Sequence, residues 1–263
     1  MEIIGYIASV LIGISLGLIG GGGSILTVPV LVYLFNVEPV IATSYSLFIV
    51  GSTSLAGVLP KYRKGLVNLK TVIIFGLPSI AAVYATRAFI VPVISNEVFN
   101  VGYFVVTKSI LLMTLFAILM IFASISMIRK TKQVPDENGE QKFNYPMILL
   151  EGSLVGFLTG MVGAGGGFLI IPALVLFSKL PMKLAVGTSL VIIAAKSLFG
   201  FIGDLSHYVM DWKLLITVTA LAIAGIFIGN GLSQKIPGEK LKKGFGWFVL
   251  LMGLYIIVKE LFL

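Results

Sequence analysis

Four consecutive glycines, Gly20-Gly21-Gly22-Gly23, stand inside an apolar run with no charge between Ile3 and Glu38. Each glycine disfavours helix by about 1 kcal/mol relative to alanine. The run therefore reads as a helix that breaks inside a bilayer, where bare backbone is tolerated only if it is buried in protein or lines a cavity. The pattern returns in GMVGAGGGFLIIPAL, where Ala164-Gly165-Gly166-Gly167 precede Pro172 as the first glycines precede Pro29. A short helix is expected to start after each break, from Ser24 and from Gly167. A helix start presents unpaired N–H groups and about half a positive charge. Two such ends facing one point suit a small anion, and glycine lets it approach the backbone closely. Gly21, Gly22, Gly23, Ser24, Gly165, Gly166 and Gly167 are thus candidate binding residues. The competing reading is close helix packing through small residues, which is how the pairs Gly13/Gly17 and Gly156/Gly160 read.

Side chains that stabilise negative charge follow each break. Ser46 and Thr53 are seven residues apart, as are Ser189 and Lys196, so each pair shares a helix face. With Thr188 they complete the candidate set. A hydroxyl in a membrane span can instead bond its own backbone or a neighbouring helix. Lys196, in the otherwise apolar VIIAAKSLFG, either neutralises an anion in transit or snorkels to the outer surface. Arg87 and Lys108 read as snorkelling residues or as the lining of an outer vestibule. No Asp or Glu falls mid-span, and Asp204 is placed in the outer loop that runs to Asp211. Asp211 is expected to cap the helix beginning at Trp212.

The elements that must position these groups follow from composition. The chain has 263 residues, 58% hydrophobic and 11% charged, and its mean hydropathy is +1.08. This is a polytopic membrane protein rather than a soluble domain. The net charge of +8 would suit nucleic acid in a soluble chain. Here the basic residues fall in short loops between apolar spans, so no nucleic-acid partner is expected. There is no cysteine, which excludes thiol catalysis and thiolate metal ligands. With one histidine, in a loop, and no mid-span acid, no enzyme, cofactor or metal site is expected.

The expected fold is an all-α polytopic membrane protein of two inverted-topology repeats, each a glycine-broken helical hairpin followed by three transmembrane helices. The N-terminal repeat, 1–128, holds a hairpin at 3–35 and spans at 40–59, 70–91 and 101–128. Residues 129–145 form a polar linker, RKTKQVPDENGEQKFNY. The C-terminal repeat, 146–263, holds a hairpin at 146–178 and spans at 183–203, 212–234 and 243–262.

The halves align without a gap at the offset that carries Gly20 to Gly163. Pro29 falls on Pro172, Ser46-Leu47 on Ser189-Leu190, Thr53 on Lys196, and Asn68-Leu69-Lys70 on Asp211-Trp212-Lys213. Lys61, Arg63, Lys64 and Lys70 mark one loop as cytoplasmic, and Arg129, Lys130 and Lys132 mark the linker likewise. The loop between Asp204 and Asp211 has no basic residue and is expected outside. Corresponding loops then lie on opposite sides, so the repeats are inverted and both termini are extracytoplasmic.

With the two glycine breaks each followed by a proline, the Gly187-Thr188-Ser189-Leu190 stretch, and Asn68 and Asp211 in their loops, the chain resembles the TauE/SafE sulfite-exporter family, also called the 4-toluene sulfonate uptake permease family. The resemblance covers nearly the whole chain outside the linker. It departs from symmetry where Tyr45-Ser46-Leu47 faces Thr188-Ser189-Leu190 and where Thr53 faces Lys196. The family implies transport of sulfur-containing oxyanions or organosulfonates across a plasma membrane. The expectation is a secondary transporter, in the direction of export, with a small anion and the lipid bilayer as its partners. It would work by alternating access at a midplane site. A channel-like anion permease and a non-transporting receptor or structural protein are the alternatives. Without a membrane-buried carboxylate, the expected coupling is electrogenic uniport or protonation of the substrate itself.

Overall fold

Apolar residues on this chain face outward as well as inward, which only a bilayer rewards. The structure, a computed structural model, describes residues 2–101, 104–128, 145–176, 180–233 and 238–262. Among these, five helices are long and apolar enough to cross a membrane. In chain order the elements are α1 (Glu2–Ile19), a 3-10 turn (Gly22–Leu26), α2 (Thr27–Leu34), α3 (Pro39–Arg63), α4 (Leu69–Ala85), a π turn (Thr86–Ile90) and α5 (Val91–Val93). The hairpin β1 (Glu97–Val101) and β2 (Phe104–Thr107) leads to α6 (Lys108–Ile128). Then come α7 (Tyr145–Val162), α8 (Gly167–Leu176), α9 (Met182–Asp204), α10 (Trp212–Leu232) and α11 (Gly238–Phe262).

The polarity pattern is the reverse of a soluble protein's. On α4, Leu69, Ile73 and Leu77 recur every four residues and are exposed. On α3 and α9, by contrast, Ser44, Ser46, Thr53, Ser54, Thr188, Ser189 and Ser197 are buried. These two helices form the centre, and α3 packs along α9. Ser44 reaches Asp204, Gly51 lies against Leu198, and Gly57 lies against Leu190. One helix's numbers rise as the other's fall, so α3 and α9 run antiparallel. The outer pair α6 and α11 is antiparallel too, with Gly246 on Met127 and Gly253 on Met120.

The first helix of each half packs on the other half. On α1, Gly13 meets Ala222 and Gly225 of α10; on α7, Gly156 meets Ser79 and Ala82 of α4. These contacts correspond residue for residue at the offset that carries Gly20 to Gly163. A second set does the same: Gly57 meets Ile226 and Leu190, while Gly200 meets Val83 and Leu47. In both α1–α10 and α4–α7 the partners run parallel, because Gly17 follows Gly13 as Ile226 follows Ala222. The glycines permit this approach, since a Cβ on Gly13 or Gly156 would fall within the partner helix.

Two expectations are corrected here. The span placed at 101–128 starts at Lys108, because Glu97–Val101 and Phe104–Thr107 pair as antiparallel strands. Alternating β-branched and aromatic residues in that stretch favour strand. The helix expected to start at Ser24 opens instead as a 3-10 turn from Gly22, and α-helical geometry begins at Thr27. The span expected at 70–91 is found as Leu69–Val93, within which Thr86–Ile90 forms a π turn ahead of Val91–Val93. Of the linker, only Tyr145 lies within the described residues, and it opens α7.

Candidate functional site

The two glycine breaks meet. A Cβ on Gly21 would fall into the backbone of Gly167, and one on Gly167 into that of Gly21. Gly20 and Gly163, equivalent across the halves, both take positive φ, +84° and +73°. That conformation turns the chain out of α1 and α7, and glycine alone adopts it without strain. The second break carries two more such residues, Gly165 and Gly166, at +62° and +64°. The breaks are buried against α3 and α9. Gly163 lies on Thr43, Gly165 on Val50, and Gly20 on Val186.

Lys196 points at the second break. Its side chain is fully buried, and Nζ donates to Thr159 Oγ1 at 2.9 Å. A Cβ at Gly166 would stand 2.7 Å from Nζ, so the ammonium rests on bare glycine backbone. The snorkelling reading of Lys196 is therefore corrected: the head group turns inward to α7. The hydroxyls of Ser46, Thr53 and Ser54 on α3 and Ser197 on α9 are also buried and have no hydrogen-bond partner among the described residues. Ser197 Oγ is 3.4 Å from the Cβ position of Gly165. A buried hydroxyl without a partner is a costly group, and such groups call for a reason.

The other candidate hydroxyls are engaged. Ser24 Oγ donates to Gly21 O at 2.8 Å and so braces the first break. Ser189 Oγ donates to Val186 O at 2.8 Å, within its own helix. Thr188 Oγ1 accepts from the Asn68 backbone N–H at 2.9 Å, at the end of α9 away from Lys196. It is about 12 Å along the helix from Lys196 at 1.5 Å per residue. Gly23 packs into α1, against Ser15 and Leu16, and Gly22 opens the 3-10 turn.

The structure adds a group that the sequence reading sets aside. Arg87, expected at the surface, is fully buried, and so is Asp204, expected in a loop. Arg87 NH1 lies 3.2 Å from Asp204 Oδ2 and donates to Thr43 Oγ1 at 2.9 Å. Ser44 Oγ donates to the same carboxylate. Asp204 thus supplies the membrane-buried carboxylate that the spans, read alone, leave out. Lys108 is nearly buried and lies within the field of Arg87, Glu38 and Asp204. The signal available in sequence is a lone charge of opposite sign toward the end of each of two spans, Arg87 and Asp204.

Taken together, the buried interior among the described residues holds three basic side chains, Arg87, Lys108 and Lys196, against one acidic one, Asp204. Such an interior favours an anion over a cation. The two cations best placed flank one break: Arg87 through Thr43 on Gly163, and Lys196 on Gly166.

Comparison with known proteins shows the family. A family model described as sulfite exporter TauE/SafE matches residues 6–256. A probable membrane transporter protein of Xylella fastidiosa (strain 9a5c) is 30% identical over 254 residues, covering 94% of this chain and 91% of its own. Similar relatives are the probable membrane transporter protein YunE of Bacillus subtilis, 26% identical over 98% of this chain and 99% of its own, and one of Methanocaldococcus jannaschii, 28% identical over 97% and 94%. No solved structure matches.

Proposed function

Because the chain belongs to the sulfite exporter TauE/SafE family and is a multi-pass membrane transporter, we propose that it is a secondary transporter of small sulfur-containing anions, sulfite or organosulfonates. Export is the proposed direction. The site lies where the glycine breaks meet, and its residues are Gly21, Gly22, Gly23, Gly165, Gly166, Gly167, Lys196 and the unpartnered hydroxyls of Ser46 and Thr53. Ser24, Thr188 and Ser189 act behind them, holding the break and the helix ends.

The observation that carries this reading is Lys196, fully buried with its ammonium on the bare backbone of Gly166. A sulfo group presents three acceptor oxygens. Backbone N–H groups at the break, the ammonium and nearby hydroxyls are donors of complementary kind. Desolvating a charged substrate is costly unless such donors replace its water.

The pairing of the halves supports alternating access as the mode of transport. If loop 64–68 is cytoplasmic, α3 runs inward and α4 outward. The antiparallel pairs α3–α9 and α6–α11 and the parallel pairs α1–α10 and α4–α7 then set every other direction. The result has both termini outside and residues 129–144 inside, as the positive-inside rule asks. Inverted repeats joined at one central contact can rock about it and open the same site to either side.

The test is sulfite flux in proteoliposomes under an imposed membrane potential. Wild type is expected to carry sulfite, and Lys196→Met to lose at least about tenfold of the rate, one charged hydrogen bond being worth that or more. Absence of flux for sulfite, thiosulfate, taurine and sulfoacetate alike would remove the substrate assignment. Unitary current steps would replace the carrier by a pore.

A further inference from the structure

Asp204 ends α9, and with the α9–α10 loop extracytoplasmic, as proposed above, the Arg87–Asp204 pair lies on that side of the second glycine break. We propose that Arg87 is a second anion-binding residue, on the outer approach, and that Asp204 is its resident counter-ion, which the passing anion must displace. The inference rests on the anion-transport reading for its ligand and adds a gate to it.

Several features of the cluster point this way. Arg87 is held by a π turn, Thr86–Ile90, a local unwinding that recurs at functional sites. Gly203 leaves room beside it, for a Cβ there would stand 3.1 Å from Arg87 Cβ. Of the guanidinium, NH1 is used by Asp204 and Thr43, while Nε and NH2 have no hydrogen-bond partner among the described residues. Asp204 Oδ1 is likewise unpartnered. The pair is therefore single-pronged, whereas a structural Arg–carboxylate pair buried this deeply is expected to be bidentate and saturated. Two nitrogens, carrying three N–H donors, are left for another acceptor.

The surroundings lead both ways. Thr43, bonded to Arg87, is the residue on which Gly163 packs, so the guanidinium is one side chain away from the second break. On the other side lie Lys108 at the start of α6, Glu38 before α3, and His207 and Tyr208 in the turn after α9, all within the electrostatic reach of the pair. Lys108 draws an anion in. Glu38 is exposed. An anion arriving at the free Nη2 and Nε displaces Asp204 by taking Nη1 as well, and the displaced carboxylate keeps Ser44 as its donor. When the anion moves on, Asp204 returns to Nη1. The pair thus passes one anion per exchange.

The experiment uses the full chain, purified and in proteoliposomes. Thermal stability is read against sulfite, sulfate, thiosulfate, nitrate and chloride at matched ionic strength, since a bound ion raises Tm by mass action. Wild type is expected to be stabilised by at least one of them. Asp204→Asn removes the competitor while keeping its shape, and should lower the half-saturating concentration of that anion by about tenfold. Arg87→Met alone leaves a buried lone carboxylate and is expected to misfold, so Arg87→Met is combined with Asp204→Leu, which removes both charges of the pair. That paired variant should keep a wild-type Tm without anion and lose the outer-side saturation, with flux down at least about tenfold.

A paired variant with flux and anion response within about twofold of wild type would show a merely structural ion pair and overturn the inference. So would weaker anion binding by Asp204→Asn, or a wild type stabilised by none of the five anions. Failure of the substrate assignment looks different: no sulfite flux in wild type, but an anion-dependent Tm that the paired variant lacks. In that case the gate stands and its passenger is another anion.

Discussion

A single methyl group tests the glycine junction. Gly21→Ala would drive a Cβ into the backbone of Gly167, where no flexible side chain can give way. Overpacking of this kind costs about 1–3 kcal/mol, and the two short helices would be pushed apart as well. The expected outcome is a lowered Tm together with loss of flux. Gly231→Ala is the contrast: nothing lies within 4 Å of its Cβ position on α10, and its helix propensity should make it neutral or slightly stabilising by up to about 1 kcal/mol. Equal Tm losses for the two would refute the contact. At Lys196 the expectation runs the other way. Its ammonium has one side-chain hydrogen bond, to Thr159, and no carboxylate partner among the described residues. Lys196→Met should therefore keep or raise Tm while it lowers transport, which separates a binding role from a structural one. A large fall in Tm would make Lys196 a packing residue instead.

Two helix starts correspond across the halves, and both are capped. Asn68 Oδ1 accepts from Thr71 N–H at 3.0 Å, and Asp211 Oδ1 accepts from Leu214 N–H at 3.1 Å. Asn68→Ala and Asp211→Ala should each cost about 1 kcal/mol, read as a drop in Tm. Asp211 is additionally tied to the core, since its backbone N–H donates to Tyr45 Oη at 2.5 Å. These caps are readable from sequence because a short polar residue stands directly before an apolar run. The spans of α3, α9 and α10 are readable for the same reason, their ends being marked by proline, charge or glycine. The β-hairpin is not readable as such, because apolar β-branched residues from Val98 to Val106 merge with the span of α6 when hydropathy alone is followed. The π turn at Arg87 has no local signal either. It arises where α4 must accommodate α7 and α9 together. The depth of Asp204 is equally hidden, since a carboxylate at the end of a span reads as solvated until its partner on another helix is seen.

Seen as a whole, the molecule has a direction in the membrane that can be measured. The chain has no cysteine, so each introduced thiol reports without background. Lys64→Cys, between α3 and α4, is expected to react with an impermeant maleimide only from the cytoplasmic side, and His207→Cys, between α9 and α10, only from outside. Labelling of both from one face would exclude inverted repeats. The glycine breaks and the repeat offset are legible in the primary structure because glycine has few uses in an apolar helix. The pairing that joins them is not, because it depends on which half holds which helix.

That exchange, α1 lodged on α10 and α7 on α4, means that neither half has a finished surface by itself. Each keeps a glycine-lined seat cut for a helix it does not own. Severed between residues 128 and 145 and made as two polypeptides, the fragments have a reason to find one another in the bilayer and rebuild the whole, while either made singly is left with an open berth and nothing to fill it.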